Sequence, residues 1–357
     1  MALRAQAHVE AAAIAANAAA LRATLAPGCR LCAVVKADGY GHGAALAARA
    51  SAPDWLAVAT ADEAAALRAA GLQAPRILVM GALSPQEREI ALGARADVVA
   101  WEPDVLDGLS ADARVHVKLD TGMGRLGTRS PEQATRVAEA LAERGQLAGL
   151  MTHFATADVA GDPFFDEQLT RFAAWALPLR ERFPGTLLHA ANSAATFRTP
   201  AAHFDMVRPG VALYGLDPAN EDPARLGLRP ALRLTSYVAA VKACAVGESA
   251  GYGRRFVAAS DTVLATVPIG YGDGWRRGLT NNAEVVIGGA RHPLVGTVSM
   301  DNITVDLGPD GAGVRAGDVV TLIGDGITTE AIAARLGTLN YEVTCGLTAR
   351  VTRTAAA

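Results

Sequence analysis

The sequence has little of what marks membrane, secreted or nucleic-acid-binding proteins. It has no run of about 18 apolar residues, the length that a membrane-spanning helix needs. The alanine-rich residues 1–24 are interrupted by Glu10, Asn17 and Arg22, unlike the apolar core of a secretory signal. The net charge is −3, so no basic surface for nucleic acid is expected. We therefore expect a cytoplasmic protein that binds neither membranes nor nucleic acid.

Cysteine is also scarce. Four cysteines in 357 residues do not form the disulfide framework of a secreted protein. Cys29 and Cys32 have C-x-x-C spacing, but no second Cys/His pair accompanies them. Because Cys32 belongs to an apolar run, a buried thiol is the simpler interpretation. We expect no metal site and a reducing compartment.

What the sequence does contain is a repeated pattern of short apolar runs. Alanine- and leucine-rich stretches with charges at helical spacing separate most of them, and a first helix is expected at 9–25. The eight runs lie at 31–35, 55–59, 76–80, 96–100, 114–119, 147–153, 187–191 and 205–213. Eight strands alternating with helices predict an α/β fold with a (β/α)8 barrel over residues 1–228. An open doubly wound sheet is the alternative, but no G-x-G-x-x-G follows the first run.

The pattern changes near residue 229. Beyond it, valine, threonine and isoleucine alternate in short runs that glycine, aspartate and proline separate, which is typical of antiparallel strands. The sequence therefore predicts a second, mostly antiparallel β domain over residues 229–357, with one short helix at 329–336. Its strands are expected at 233–242, 262–267, 283–287, 301–307 and 318–323.

The most informative stretch is Ala33–Gly43, with the sequence AVVKADGYGHG. Lys36 stands where an apolar run ends and a glycine-rich loop begins. A lysine at the mouth of a buried strand is poorly hydrated, so its amine is more readily neutral and suited to Schiff-base chemistry on a carbonyl. The glycines let backbone approach a ligand closely, and Tyr40 places a phenol beside the same opening.

Other reactive side chains also follow strands of the predicted barrel. Active sites of such barrels lie at the carboxyl ends of their strands. Each residue has an ordinary structural explanation alone, such as a core histidine at 153 or a helix cap at 192–193. Their convergence at one barrel mouth favours an active site built from Lys36, Tyr40, Lys118, Asp120, Arg125, His153, Asn192, Ser193 and Arg208.

Taken together, these motifs resemble those of alanine racemases. The matching segments run in order over nearly the full chain: Ala33–Gly43, Lys118–Gly127, Thr152–Ala155, Ala191–Ala194, Val207–Gly215, Gly251–Phe256, Pro268–Gly274, Val298–Asp301 and Asn340–Glu342. The resemblance implies a pyridoxal-phosphate enzyme of fold type III, a barrel followed by a β domain. It also implies a homodimer with shared active sites, in which the β domain completes the partner's site.

The resemblance implies a two-base racemisation of L- and D-alanine. Lys36 would hold the cofactor as an aldimine and serve as base or acid on one face. Tyr252, from the partner's β domain, would act on the other face, through a chain with His153 and Arg208. Arg208 would face the pyridine nitrogen and donate a hydrogen bond without protonating it, because guanidinium does not readily release a proton.

The remaining roles are also implied by the resemblance. Cofactor phosphate would be bound by Tyr40, Ser193, Gly210, Val211 and Tyr341. The substrate would be bound by Arg125, Met300, Asp301 and Tyr271. Lys118 matches a position that is carbamylated in many members, where the modified side chain orients Arg125. Departures from the family pattern are Gly272, Trp275 and Thr352, none of which is an expected catalytic residue.

Two other functions are compatible with parts of the pattern. A broader amino-acid racemase, such as a serine racemase, would use the same machinery on larger substrates. A non-catalytic pyridoxal-phosphate carrier would lack the β domain and Tyr252, and this sequence has both. We therefore expect an alanine racemase that supplies D-alanine for peptidoglycan.

Overall fold

The structure is a computed structural model that describes residues 4–356. The chain forms two compact units. The barrel unit contains Ile14–Ala219 and Pro223–Arg229, and the sheet unit contains the described residues up to Ala13, Asn220–Asp222, and the described residues from Pro230 on. The expected division at residues 228 and 229 differs from this near the N-terminus, because the first strand lies in the sheet unit.

Nineteen strands are found among the described residues. In chain order they are β1 (Gln6–Glu10), β2 (Arg30–Val34), β3 (Trp55–Val58), β4 (Arg76–Val79), β5 (Ala96–Ala100), β6 (Val115–Lys118), β7 (Leu147–Met151), β8 (Leu187–His189), β9 (Met206–Val207), β10 (Leu232–Tyr237), β11 (Ala240–Cys244), β12 (Ser249–Ala250), β13 (Phe256–Val257), β14 (Thr262–Val267), β15 (Ala283–Ile287), β16 (Ala290–Val295), β17 (Ile303–Asp306), β18 (Val319–Ile323) and β19 (Thr352–Ala356).

The helices mostly alternate with the first strands. They are α1 (Ala11–Thr24), α2 (Lys36–Tyr40), α3 (Ala44–Ser51), α4 (Ala61–Ala69), α5 (Pro85–Gly93), α6 (Pro131–Glu143), α7 (Phe164–Arg182), α8 (Ser193–Arg198), α9 (Thr329–Leu336) and α10 (Asn340–Cys345). Ser84 and Ser130 cap α5 and α6, each followed by proline in the first turn, where the missing N–H costs nothing.

The eight strands β2–β9 form the predicted parallel barrel. Their order in the sheet is β8-β7-β6-β5-β4-β3-β2-β9. The ring closes where the Asp205 N–H donates to Leu188 O (3.0 Å) and the Arg208 N–H donates to Ala191 O (2.8 Å). Most residues of β2–β6 are buried, as expected for parallel strands covered on both faces. The (β/α)8 prediction is therefore confirmed.

The sheet unit is built on nine strands in the order β11-β14-β17-β16-β15-β18-β10-β1-β19. All neighbours are antiparallel except β1 and β19, so the expectation of a mostly antiparallel domain is confirmed. The helix expected at 329–336 is α9. The single strand expected at 233–242 is instead two strands, β10 and β11, which pair with different neighbours.

The segment that contains β1 corrects one expectation. Residues 9 and 10 were expected to begin a helix, but they end β1, and α1 begins at Ala11. β1 lies between β10 and β19, with Ala7 and Val9 fully buried. This segment therefore belongs to the sheet unit, and the hydrophobic Val9 is a strand residue.

The described residues, 4–356, contain neither a membrane-spanning helix nor a disulfide. No helix within this part of the chain is long and apolar enough to cross a membrane. All four cysteines are free thiols. Burial raises the pKa of Cys32 to about 12, so its thiolate form is strongly disfavoured.

Candidate active site

The barrel brings the predicted reactive residues to the carboxyl ends of its strands. Neighbouring parallel strands end on the same face of a closed barrel, so these side chains share one opening. The residues are Lys36 after β2, Lys118 at the end of β6, His153 after β7, Ser193 after β8 and Arg208 after β9. The positive charges of Arg208, Arg125 and Lys36 each lower the pKa of Lys118, which is consistent with this convergence.

A left-handed turn follows the first barrel strand. Ala37, Asp38, Gly39 and Tyr40 have φ of 50°, 51°, 62° and 53°. This conformation costs about 1–2 kcal/mol for each residue that is not glycine. Such strain persists only where the surroundings enforce it, and it is often found at functional sites. The turn brings Tyr40 back toward Lys36, whose Nζ lies 5.9 Å from the centre of the tyrosine ring.

Glu63 holds this turn from the start of α4. Its Oε1 accepts a hydrogen bond from the Ala37 N–H (2.6 Å), and its Oε2 accepts from Ala59 N–H (2.8 Å) and Thr60 N–H (3.2 Å). The Thr60 hydroxyl in turn accepts from the Glu63 N–H, which completes a capping box. One carboxylate therefore joins the helix start to the strained turn that carries Lys36.

We expect Glu63→Ala to lower the free energy of unfolding by about 2 kcal/mol, measured by chemical denaturation, because it removes a helix cap and the brace of the turn. Glu87→Ala is the matched control. Glu87 closes the same kind of capping box with Ser84 on α5 but touches no strained turn, so its loss should be clearly smaller. Equal losses in the two variants would contradict the bracing role of Glu63.

Tyr40 lies directly against Gly210. A Cβ built on Gly210 would come within 2.2 Å of the Tyr40 hydroxyl oxygen, so only glycine leaves room for the phenol there. The Tyr40 ring is buried and packs 5.2 Å from the ring of Tyr214. Tyr214 is itself anchored by a hydrogen bond from its hydroxyl to Val34 O (3.0 Å). The Tyr40 hydroxyl is therefore held in one place at the barrel mouth.

Ser193 is the second hydroxyl at this opening. It is the first residue of α8, which Asn192 caps through the Ala195 N–H (3.0 Å). Its Oγ accepts hydrogen bonds from the Gly210 N–H (2.9 Å) and the Ala212 N–H (3.3 Å). Two donors on this oxygen leave its own hydrogen to donate. The Gly210 amide was expected to bind the cofactor, and in this structure it binds Ser193.

Arg208 is the most deeply buried cation of the group. Its side chain is held by three bonds, from Nη1 to His189 Nδ1 (2.6 Å) and from Nη2 to Thr152 O (2.8 Å) and Ala190 O (3.1 Å). Burial lowers the pKa of its guanidinium to about 10, so it stays charged at neutral pH. The buried Nε has no hydrogen-bond partner within residues 4–356. An unpaired buried donor is costly and indicates that a ligand supplies the acceptor.

His153 differs in part from the expectation. It was expected to link Tyr252 with Arg208, but the arginine bonds instead to His189 and to the carbonyl of Thr152, the residue before His153. Desolvation and the charge of Arg208 hold the pKa of His153 well below its usual value, so the imidazole is neutral. Its loop is fixed by Gln168, which donates to His153 O (3.2 Å).

Lys118 is buried at the end of β6. Desolvation and the charges of Arg208 and Arg125 lower the pKa of its amine to about 8. Arg125 itself is exposed on the following loop. Asp120 organises that loop, because its carboxylate accepts from the Gly122 N–H and Gly124 N–H, both at 3.0 Å. Asp120 is therefore a loop-forming residue. The neutral fraction of Lys118 near neutral pH is far larger than that of an ordinary lysine, although the charged form still predominates.

The sheet unit presents the predicted tyrosine base to solvent. Tyr252 is 75% exposed and stands between two left-handed glycines, Gly251 (φ 74°) and Gly253 (φ 72°). Its backbone is fixed by Thr297, whose hydroxyl donates to Tyr252 O (2.6 Å). A tightly held backbone with an exposed aromatic side chain is typical of a residue that meets a partner.

The other predicted residues of the sheet unit lie on neighbouring loops. Tyr271 and Met300 are both large apolar side chains with exposed surface, and the Tyr271 N–H donates to Ser299 O (3.0 Å). Asp301 is exposed and pairs with Arg350 (2.6 Å). Tyr341 lies in α10. Gly272 faces Arg350 closely, since a Cβ there would come within 2.4 Å of the guanidinium.

Sequence reasoning missed several polar residues inside the barrel. Asp97, His116 and His189 are buried on β5, β6 and β8 and are joined by hydrogen bonds to Arg208. Gln168 of α7 is fully buried and also bonds Thr121 (3.1 Å). The available signal was a charged or titratable residue within an otherwise apolar strand, as in ADVVA and VHVK.

The class of protein is a two-unit barrel enzyme. It is defined by a parallel barrel with a lysine after its first strand, a cluster of cations at the barrel mouth and an antiparallel sheet unit. Matches to protein-family models identify the family within this class. The alanine racemase N-terminal domain matches residues 9–218, and the alanine racemase C-terminal domain matches residues 231–355. The chain belongs to the alanine racemase family.

Individual relatives agree over almost the whole chain. An alanine racemase of Desulfovibrio desulfuricans is 40% identical over 93% of both chains, and one of Symbiobacterium thermophilum is 42% identical over 97% of this chain and 96% of the relative. The solved alanine racemase of Streptomyces lavendulae is 37% identical with a TM-score of 0.93, covering 100% of this chain and 98% of that one.

The structure of a Bacillus anthracis alanine racemase with bound L-Ala-P has a TM-score of 0.90 and 33% identity, covering 100% of this chain and 96% of that one. Homology over the full length identifies a pyridoxal-phosphate-dependent racemase, an isomerase. The broader amino-acid racemase considered from the sequence is not favoured, because the matched proteins are alanine racemases.

Proposed function

We propose that this protein binds pyridoxal phosphate at the barrel mouth and interconverts L- and D-alanine there. The observation that carries the proposal is the buried Nε of Arg208, a donor without a partner within residues 4–356. An acceptor nitrogen on a bound ring would satisfy it. Because arginine retains its proton, such a bond leaves the ring nitrogen unprotonated.

The residues at the barrel mouth fit the cofactor. Lys36 would bind it covalently, Arg208 would bind its ring nitrogen, and the hydroxyls of Tyr40 and Ser193 would donate to its phosphate. His153 would lie against the ring, and the Val211 backbone, with Tyr341, would complete the phosphate site. Gly210, whose N–H donates to the Ser193 hydroxyl, would let its backbone lie close to the phosphate. When bound, pyridoxal phosphate joins the amino group of the amino acid and withdraws electrons from its α-carbon.

Two residues would then move the proton of the α-carbon. The Lys36 Nζ would take or return it on one face, and the Oη of the partner subunit's Tyr252 would do so on the opposite face. The 75% exposure of Tyr252 in a single chain supports this division, since the side chain is available to a second subunit. We therefore propose a homodimer in which the sheet unit of each chain completes the other's site.

The substrate carboxylate would be bound by Arg125, whose planar guanidinium suits a carboxylate. The partner subunit's Met300 and Asp301 would complete this pocket, and Tyr271 and Tyr341 would narrow the entrance to favour a small side chain. We also propose that Lys118 is carbamylated. The lowered pKa of about 8 supports this, because only a neutral amine reacts with carbon dioxide. The resulting carboxylate-like group would attract Arg125.

The cellular role proposed is the supply of D-alanine for peptidoglycan in the cytoplasm. This rests on the family's role and on the scarcity of cysteine.

The test is a racemisation assay of purified protein loaded with pyridoxal phosphate, with L-alanine, L-serine and L-lysine compared by kcat/KM. L-Alanine is expected to be the best substrate. A higher kcat/KM for serine or lysine would move the assignment to a broader racemase. Absence of a visible cofactor absorbance band, even after pyridoxal phosphate is added, would overturn the cofactor proposal itself.

A further inference from the structure

A line of buried polar side chains crosses the barrel interior from Arg208. Arg208 Nη1 bonds His189 Nδ1 (2.6 Å), His189 Nε2 bonds His116 Nδ1 (2.7 Å), and His116 Nε2 bonds Asp97 Oδ2 (3.0 Å). The same Asp97 oxygen pairs with Arg76 at the start of β4. Asp97, His116 and His189 are nearly or fully buried. We call these three residues the relay.

The direction of each hydrogen bond in the relay can be assigned by starting from Arg208, at one end of the relay. Arginine nitrogens only donate, so His189 Nδ1 must accept. Burial and the charge of Arg208 hold the pKa of His189 well below its usual value, so it is neutral and carries its one hydrogen on Nε2. His116 Nδ1 must then accept from His189. His116 is therefore neutral as well, although a carboxylate lies beside it, and its Nε2–H donates to Asp97.

The barrel is built to make room for this line. His116 on β6 reaches His189 on β8 across the intervening strand β7, at Gly149. A Cβ on Gly149 would lie 2.2 Å from His116 Nδ1, so any larger residue would block the bond between the two histidines. Glycine weakens a strand interior and often marks a close approach. Here it marks the crossing point of the relay.

The far end of the relay is also held. Trp55 packs edge-on against His116 with ring centres 5.7 Å apart, and the Arg76 guanidinium lies 4.1 Å from the centre of the Trp55 ring. Arg76 is partly exposed and neutralises the buried carboxylate. A buried polar network is stable only when each member is satisfied, and this arrangement satisfies Asp97 from two sides.

With both terminal nitrogens of Arg208 already bonded, Nε is its remaining buried donor. Its Nη1 is directed to His189 and its Nη2 to two backbone carbonyls, so the guanidinium cannot turn, and Nε remains the buried donor for a ligand. If the relay adopted the opposite tautomers, an N–H of His189 would face an N–H of Arg208 at 2.6 Å. The two donors would repel, and Arg208 would move.

We propose that Asp97 positions Arg208 for the cofactor's ring nitrogen by selecting the Nε2–H tautomer of both His116 and His189. This inference rests on the proposed function, and the three relay members are positioning residues rather than catalytic ones. The proposal specifies which ring nitrogen of His116 and of His189 carries hydrogen. It also makes the affinity for the cofactor depend on Asp97, which does not touch the cofactor.

The first test reads the tautomers directly. The protein is labelled with 15N-histidine, and long-range 1H–15N correlation spectra are recorded at neutral pH before and after pyridoxal phosphate is added. The variants His116→Gln and His189→Gln assign the resonances. We expect both rings to be neutral with hydrogen on Nε2. An Nδ1–H tautomer or an imidazolium at either position would overturn the proposal, whatever the protein's activity.

The second test measures the dissociation constant of pyridoxal phosphate in Asp97→Asn and Gly149→Ala. An asparagine can present its NH2 to His116 and reverse the tautomers, and the methyl group added by Gly149→Ala would displace His116 without changing its chemistry. We expect binding on the order of tenfold weaker, the loss of one charged hydrogen bond.

The matched control is His203→Gln. His203 is an equally buried barrel histidine, bonded to the Ala26 N–H and Thr196 O and outside the relay, so cofactor binding should be unchanged. Binding in Asp97→Asn equal to the control would overturn the positioning role. Should these variants not fold, the tautomer measurement on the unaltered protein still decides. A protein that binds no cofactor at all would instead contradict the proposed function.

Discussion

Lys36→Arg is expected to reduce racemisation by about 10³-fold or more and to abolish covalent attachment of the cofactor. Arginine keeps the positive charge and has a side chain of at least the length of lysine, but guanidinium neither forms the imine nor takes a proton at neutral pH. Attachment is measured by borohydride reduction followed by mass spectrometry of the intact protein and of its proteolytic peptides. In the unaltered protein the added mass should map to Lys36.

The chain offers a simple control for this variant, because it has only three lysines: Lys36, Lys118 and Lys242. Lys242 is exposed on β11 in the sheet unit, so Lys242→Arg should keep full activity and cofactor attachment. Covalent cofactor on Lys36→Arg, or attachment mapped to Lys118 in the unaltered protein, would show that the wrong lysine has been assigned.

The barrel and its opening could be predicted because their signals are local. A parallel strand buried on both faces reads as a short apolar run, and capping residues such as Ser84 and Ser130 mark where helices begin. Once eight such runs indicate a barrel, the carboxyl end of each run is known, and Lys36 falls at such an end. Arg208 lies within the predicted run 205–213, and the structure places it just after the shorter β9. The convergence of site residues is therefore a consequence of topology.

Pairing between distant segments could not be predicted in the same way. The strand QAHVE carries only two buried side chains, and what makes it a strand is pairing with β10 and β19, which lie far along the chain. The local pattern therefore favoured a helix from Val9. Such tertiary contacts override local propensity and leave no mark within the segment itself.

One missed strand did have a local signal. β15 and β16 form a hairpin around Gly288 (φ 59°) and Gly289 (φ 85°), and two adjacent glycines with positive φ are the preferred tight hairpin connection. The second strand, ARHPLV, has too few apolar residues to be recognised by hydrophobicity alone. The turn was the more reliable indicator.

The polar interior of the barrel could not be predicted for a different reason. His116 and His189 are separated by 73 residues, and their contact depends on the absence of a side chain at Gly149 between them. Similarly, Gly39 and Gly41 suggest a turn after Lys36, but nothing in the sequence shows that Ala37 and Asp38 are also left-handed. Glu63, which stabilises that turn, lies 26 residues beyond Ala37.

Tyr252→Phe is expected to lower racemisation by about 10²–10⁴-fold while leaving cofactor attachment to Lys36 intact. The variant removes one oxygen from an exposed side chain, so stability should not change. Because Lys36 can still remove and return the proton on its own face, deuterium from solvent should still enter the α-position of one enantiomer only. Tyr237→Phe, on β10 of the same unit, is the control and should be fully active.

Near-normal turnover in Tyr252→Phe would exclude the two-base scheme, and exchange into both enantiomers would show that another group serves the second face. Loss of the cofactor together with activity would instead make Tyr252 a binding residue. These outcomes are separated by measuring turnover, exchange and cofactor content on the same preparation.

Hybrid dimers decide whether the second base comes from the partner. When Lys36→Arg and Tyr252→Phe chains with different affinity tags are co-expressed, dimers that carry both tags can be isolated. If Lys36 of one chain works with the partner subunit's Tyr252, each hybrid has one site with both defects and one intact site. Its activity should then be about half that of the unaltered dimer, although each parent has little activity. If Lys36 and Tyr252 of the same chain formed each site, both sites of the hybrid would be defective and no activity would return.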